Sequence, residues 1–71
     1  MVTIKLREGE EYIKLGQALK AAGFVESGVD AKFAVQDGLV LVNGETDTRR
    51  GRKLVPGDIV EFEGKKLTVI R

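Results

Sequence analysis

The sequence predicts an α+β fold in which two short helices pack on a small, mostly antiparallel sheet. Three observations carry that expectation. Apolar residues recur at helical spacing between Tyr12 and Gln36, switch to runs of strand length from Leu39 onward, and are punctuated there by the turn pairs Asn43-Gly44 and Pro56-Gly57. Residues 1–71 are expected to form a single domain, because the chain is short and, at 32% charged and 42% hydrophobic, ordinary in composition. A chain of this size buries only about 60% of its unfolded surface, so turns and caps matter to its stability. It has no cysteine and no histidine, which removes disulfides and any Cys/His metal site and fits a reducing cytoplasm. No apolar stretch approaches the roughly 20 residues of a membrane span. The alternating start, Val2 to Leu6, lacks a signal-peptide core. The expected setting is cytoplasmic, with no membrane partner.

Val2, Ile4 and Leu6 alternate with polar neighbours and read as a strand. Arg7 to Glu11 is a polar connection through Gly9. Tyr12, Leu15, Leu19 and Ala22 fall at i, i+3, i+7 and i+10, predicting a first helix that Gly23 ends. Its start is open, since Tyr12-Ile13 also reads as extended. Ser27 and Asp30 form a Ser-x-x-Asp capping box that opens a second helix, with Ala31, Ala34 and Val35 as its apolar stripe and Asp37-Gly38 as its close. Leu39 to Val42 is a continuous apolar strand, Asn43-Gly44 is the strongest hairpin signal in the chain, and Glu45 to Thr48 begins a returning strand. Leu54-Val55 re-enters the core, and Pro56-Gly57 suits the centre of a type II turn. Asp58 to Glu63 alternates as a strand, and Gly64 turns the chain into a last strand over Leu67 to Ile70. Phe24, Phe33 and Phe62 have apolar neighbours and are assigned to the core rather than to base stacking.

The charge is unevenly spread. Residues 1–48 hold five cationic and eight acidic side chains, whereas residues 49–71 hold seven and three. Arg49, Arg50, Arg52 and Lys53 crowd into five positions of a chain whose net charge is only +1. Clustered guanidinium groups repel one another and are tolerated where water or an anion surrounds them, and arginine suits bidentate contact with phosphate. The run is therefore either a solvated loop or a clamp for nucleic-acid phosphates. In the second case the start of the second helix offers another wall. Ser27 supplies a hydroxyl, Gly28 permits close approach, the helix amides carry the positive end of the dipole, and Lys32 stands one turn on. Ser27 reads equally well as a simple N-cap, and the two roles are compatible. Lys20 and Lys14 are weaker candidates that also read as solvated helix charges. Lys65 and Lys66 read as turn lysines serving solubility.

Other chemistry finds little support. Acid–base catalysis without histidine or cysteine falls to carboxylates, and Glu61 and Glu63, on one side of a strand, are more simply solvent-facing. The stretch from Gly57 to Lys66 fails the phosphate-loop spacing, and Asp58, Glu61 and Glu63 do not follow a calcium loop. No enzyme activity, cofactor or small-molecule substrate is expected. With few exposed aromatics, backbone and shape readout of folded RNA fits better than stacking on single strands.

Ser27 to Lys32, Gly38 to Gly44, Arg49 to Leu54 and Pro56 to Val60 together resemble the S-four RNA-binding domain, named for small-subunit ribosomal protein four. The domain is found also in pseudouridine synthases and tyrosyl-tRNA synthetases. The resemblance covers about residues 13–63, and its most specific parts are the Gly-x-Val-x-Val-Asn-Gly spacing and Gly57-Asp58. It implies a helix-helix-strand module, the αL motif, that binds structured RNA such as ribosomal or transfer RNA through helix two and the loop after the Asn-Gly turn. Carried over by position, it implicates Ser27, Lys32, Arg49, Arg50, Arg52 and Lys53, with Lys20 and Gly28 as weaker members. Many such domains have Arg where this chain has Gly28, so one phosphate contact is expected to be lost. Leu15-Gly16 with Leu19-Lys20, Ser27-Gly28, and Arg49 to Leu54 look like the short stand-alone bacterial members. The rival reading is an adaptor that docks an acidic protein through the same basic loop.

Overall fold

A computed structural model describes all 71 residues. The elements are β1 (Val2–Lys5), β2 (Ile13–Lys14), α1 (Leu15–Ala21), α2 (Gly28–Gln36), β3 (Val40–Val42), β4 (Glu45–Thr46), β5 (Lys53–Leu54), β6 (Ile59–Phe62) and β7 (Lys65–Ile70). Five strands form one sheet in the order β1-β7-β6-β3-β4, while β2 and β5 form a separate antiparallel ribbon. The helices and the inner face of the sheet share one core of 14 buried residues. Val40, Val42, Val60, Phe62, Leu67 and Val69 point into it at alternate positions, and Leu15, Leu19, Ala31 and Val35 meet them from the helices. The α+β expectation holds. One pairing was not legible: β1 runs parallel to β7, with Val2 opposite Leu67 and Lys5 opposite Ile70. Alternation within β1 specifies a buried face but no partner, and the partner is the last strand of the chain.

Both helices end in the same way. Gly23 and Gly38 adopt φ of 76°, and in each case two backbone bonds close the last turn, Phe24 N to Leu19 O and Gly23 N to Lys20 O in α1, Leu39 N to Ala34 O and Gly38 N to Val35 O in α2. They begin differently. In α2 the Ser27 hydroxyl oxygen accepts a bond from Asp30 N at 3.1 Å, but the carboxylate of Asp30 does not return one, so half of the capping box forms. In α1 the first helical residue is Leu15, not Tyr12. Ile13 and Lys14 instead pair with Leu54 and Lys53, which places Leu54 fully inside the core. Lys14 caps nothing with its side chain. The first two amides of α1 donate to the basic segment itself, Leu15 N to Arg52 O at 2.8 Å and Gly16 N to Arg50 O at 3.0 Å.

Other expectations need correction. Phe33 is 56% exposed, because its place on α2 lies across the helix from Ala31 and Val35, although Phe24 and Phe62 do pack with the core. Glu63 is not in a strand beside Glu61. With φ of 52° it forms, with Gly64, the two-residue turn between β6 and β7, and Glu61 faces Lys66 at 3.7 Å. Lys65 and Lys66 accordingly open β7, where the Lys65 ammonium lies 5.2 Å from the Phe24 ring centre and 5.6 Å from that of Phe62. Leu39 and Val55 lie outside the core. The two turn pairs are joined: the Asn43 amide donates to Asp58 at 3.0 Å and accepts from Ile59 N at 2.9 Å, while the other Asp58 oxygen accepts from Val55 N at 2.8 Å. No helix is long and apolar enough to cross a membrane.

Candidate nucleic-acid interface

The returning strand stops at Thr46 because the next residue turns inward. Asp47 is the only buried charged side chain in the protein, and it sits at the foot of the basic segment. Its Oδ1 accepts from Arg49 N at 2.9 Å and from Arg49 Nε at 3.1 Å, while Oδ2 accepts from Arg49 at 2.9 Å and Arg52 at 2.8 Å. A buried carboxylate without partners would be costly; four donors and two opposite charges satisfy this one. The hydrogen bonds from Arg49 hold its carboxyl well below the usual carboxylate range, against the opposing effect of burial, and Arg52 adds to them. The same bonds raise the pKa of Arg49. Sequence reasoning passed over Asp47, reading it as one more residue of a strand; the signal was an isolated acid two and five positions ahead of arginines.

The basic segment is therefore not one outward cluster. Arg49 and Arg52 turn toward Asp47, Arg49 with its guanidinium largely in water and Arg52 about a third exposed. Arg50 goes the other way. It lines a cleft of about 340 Å³ together with Lys14, Gly16, Gln17, Lys20, Gly28, Ala31 and Gly51. Three of these eight residues are cationic and none is acidic. Lys14 also stands directly across the β2–β5 ribbon from Lys53, whose ammonium lies 4.9 Å over the Tyr12 ring. Facing like charges on neighbouring strands disfavour each other unless an anion or a π-face compensates. The cleft concentrates positive charge where a polyanion would relieve it.

Of the residues expected at the interface, Arg50, Lys20 and Gly28 meet in this cleft, and Lys14, held as a weaker helix charge, joins them from β2. Arg49, Arg52 and Lys53 line, with Gly51, a second and more open depression. Ser27 is half-buried with its oxygen engaged as the α2 cap. Lys32 is exposed one turn beyond Gly28, outside the cleft lining. No cluster of three or more acidic side chains that would hold a metal ion is present.

Residues 4–70 match the model of the S4 domain family. A Bacillus subtilis protein named as a probable ribosome maturation protein, RlbA, is 56% identical over 54 residues, 76% of either chain. Escherichia coli YbcJ is 39% identical over 59 residues, 83% of this chain and 84% of the relative. The solution structure of YbcJ, described as revealing an αL motif involved in RNA binding, superposes with a TM-score of 0.73 at 37% identity, covering 100% of this chain and 89% of that one.

Proposed function

Because the chain belongs to the S4 domain family, we propose that it is a non-enzymatic RNA-binding module that grips the phosphate backbone of a folded RNA. The observation that carries this reading is the acid-free cleft in which Arg50, Lys14 and Lys20 converge. Arg49, Arg52 and Lys53 extend the positive surface over the turn, and Lys32 extends it along α2. Similarity to a protein named for ribosome maturation supports ribosomal RNA as the first substrate to test, with transfer RNA second. Residues 1–71 act in this reading as one RNA-binding domain, working in the cytoplasm.

If about four cations neutralise phosphates, log K falls against log salt with a slope of about −3, at ~0.7–0.9 per contact. Anisotropy titrations with labelled ribosomal RNA fragments, transfer RNA and an acidic polypeptide, at several salt concentrations, test this. A Lys14/Lys20/Arg50→Ala variant, which leaves the Asp47 ion pairs in place, is expected to lose most affinity and most of the slope while keeping its circular dichroism. A folded variant that binds as tightly as wild type defeats the reading, and preference for the acidic polypeptide favours the adaptor.

A further inference from the structure

Gly16 is buried at the second position of α1, and the space its side chain would fill is already taken. A Cβ built there lies 2.7 Å from Cγ and 3.3 Å from Cδ of Arg50, inside the roughly 3.5–4.0 Å at which carbons rest against each other. The backbone of Gly16 is not in the left-handed region, so conformational freedom does not account for a glycine. Room for the arginine does. The Gly16 amide also donates to the Arg50 carbonyl at 3.0 Å, so one residue sets both the backbone and the stem of Arg50. The side chain so placed lines the cleft with Lys14, Lys20 and Gly28.

Resting on the RNA-binding reading above, we propose that Gly16 is a positioning residue for RNA: lacking a side chain, it lets Arg50 lie flat on the first turn of α1 and reach the cleft, where Arg50, Lys14 and Lys20 seat one backbone phosphate. Alanine at this position displaces a flexible stem rather than backbone, since the nearest backbone atom, Arg50 O, stays at 3.6 Å. The expected response is a shift of the Arg50 side chain, and with it the cation. Alanine is also the better helix former, so helix propensity does not account for a glycine here either.

The test is a cycle of Gly16→Ala, Arg50→Ala and the double variant, titrated with labelled ribosomal RNA fragments at several salt concentrations. Each single variant is expected to weaken binding about tenfold and to flatten the salt slope by ~0.7–0.9, one phosphate. The double variant is expected to bind no more weakly than Arg50→Ala alone. In the free protein, nuclear Overhauser contacts between Gly16 Hα and the Arg50 stem are expected, and they are lost in Gly16→Ala. Unchanged affinity of Gly16→Ala beside a weakened Arg50→Ala overturns the role of Gly16 and leaves RNA binding intact. So does a double variant whose loss is the product of the two. If Arg50→Ala itself binds like wild type, the cleft is not the interface and both ideas fall. Should Gly16→Ala unfold, the double variant, freed of the stem, is expected to fold; if it does not, the glycine serves the backbone and the proposal is wrong.

Discussion

Arg49 and Arg50 are adjacent, identical in charge and opposite in circumstance. Arg49 is bound to a buried carboxylate through its main chain and its guanidinium, so part of its charge is already answered inside the protein. Arg50 makes no ion pair within the protein, and the cleft it lines is shared with two lysines, two helix starts and glycines. The difference teaches that a run of cations has to be divided by what each side chain faces before it is counted as a binding surface. The Asp47 side shapes the turn, and the α1 side presents the charge. Both are joined through the carbonyls of Arg50 and Arg52, which cap α1 in place of a side chain. The loop cannot change shape without loosening the first turn of that helix.

The largest expected effect breaks the Asp47 side. Asp47→Ala leaves the amide of Arg49 and two guanidinium groups without their acceptor, and loss of such buried bonds costs about 1–3 kcal/mol. Urea unfolding is expected to show a lower midpoint at an unchanged slope. An unshifted midpoint means the carboxylate does not hold the turn. Arg50→Ala is the converse, with little change in stability and about a tenfold loss of RNA affinity, or ~1.4 kcal/mol. Arg49→Ala is expected to lose clearly less affinity than Arg50→Ala in the same titration. If the two single variants weaken RNA equally, the division of the turn into a structural and a binding side is wrong.

A smaller effect appears with pH. The Asp47 carboxyl has an ordinary value of 3.8 and is lowered in the fold, so below that value the unfolded chain takes up a proton that the folded one refuses. Its contribution is fully present above about pH 4 and is lost progressively as the pH falls further. Urea midpoints measured across that range are expected to fall more steeply for wild type than for Asp47→Asn. Parallel curves remove Asp47 from the account of acid sensitivity.

Much of the fold was legible because it rests on local rules. Gly23, Gly38 and Ser27 end and start helices as their chemistry requires, and Asn43-Gly44 makes the hairpin expected of it, with φ of 53° and 86°. The motif residues that best marked the family, Asn43 and Asp58, turn out to bond to each other, with Asn43 also accepting from Ile59 N and Asp58 from Val55 N. They tie the two turns of the scaffold together. The larger misses were tertiary, beside local ones such as the Glu63-Gly64 turn. Ile13-Lys14 left helical spacing to pair with a strand forty residues on, β1 found its partner at the far end of the chain, and Phe33 faced outward because α2 buries only Ala31, Ala34 and Val35. The cleft was half visible. Arg50, Lys20 and Gly28 stood among the candidates, but nothing local announces that Arg50 crosses to α1 while its neighbours turn to Asp47.

The smallest expected effect sharpens the comparison by adding to the α1 side. Gly28 lines the cleft, has no atom within 4 Å of where a Cβ would sit, and is not in the left-handed region. Arginine therefore fits there without displacing anything, restoring the side chain that many related domains carry after the helix-two serine. A cation beside the start of α2 opposes the helix dipole by about 0.3–1 kcal/mol. Replacing glycine in the first turn recovers a similar amount of backbone entropy, so stability is expected to stay near wild type. Binding is expected to tighten a few-fold, with the salt slope steeper by ~0.7–0.9. The gain should persist in Arg49→Ala, whose change lies outside the cleft lining, and shrink in Arg50→Ala, which empties the same cleft. Equal gains in both backgrounds would show that the two sides bind RNA as one continuous patch.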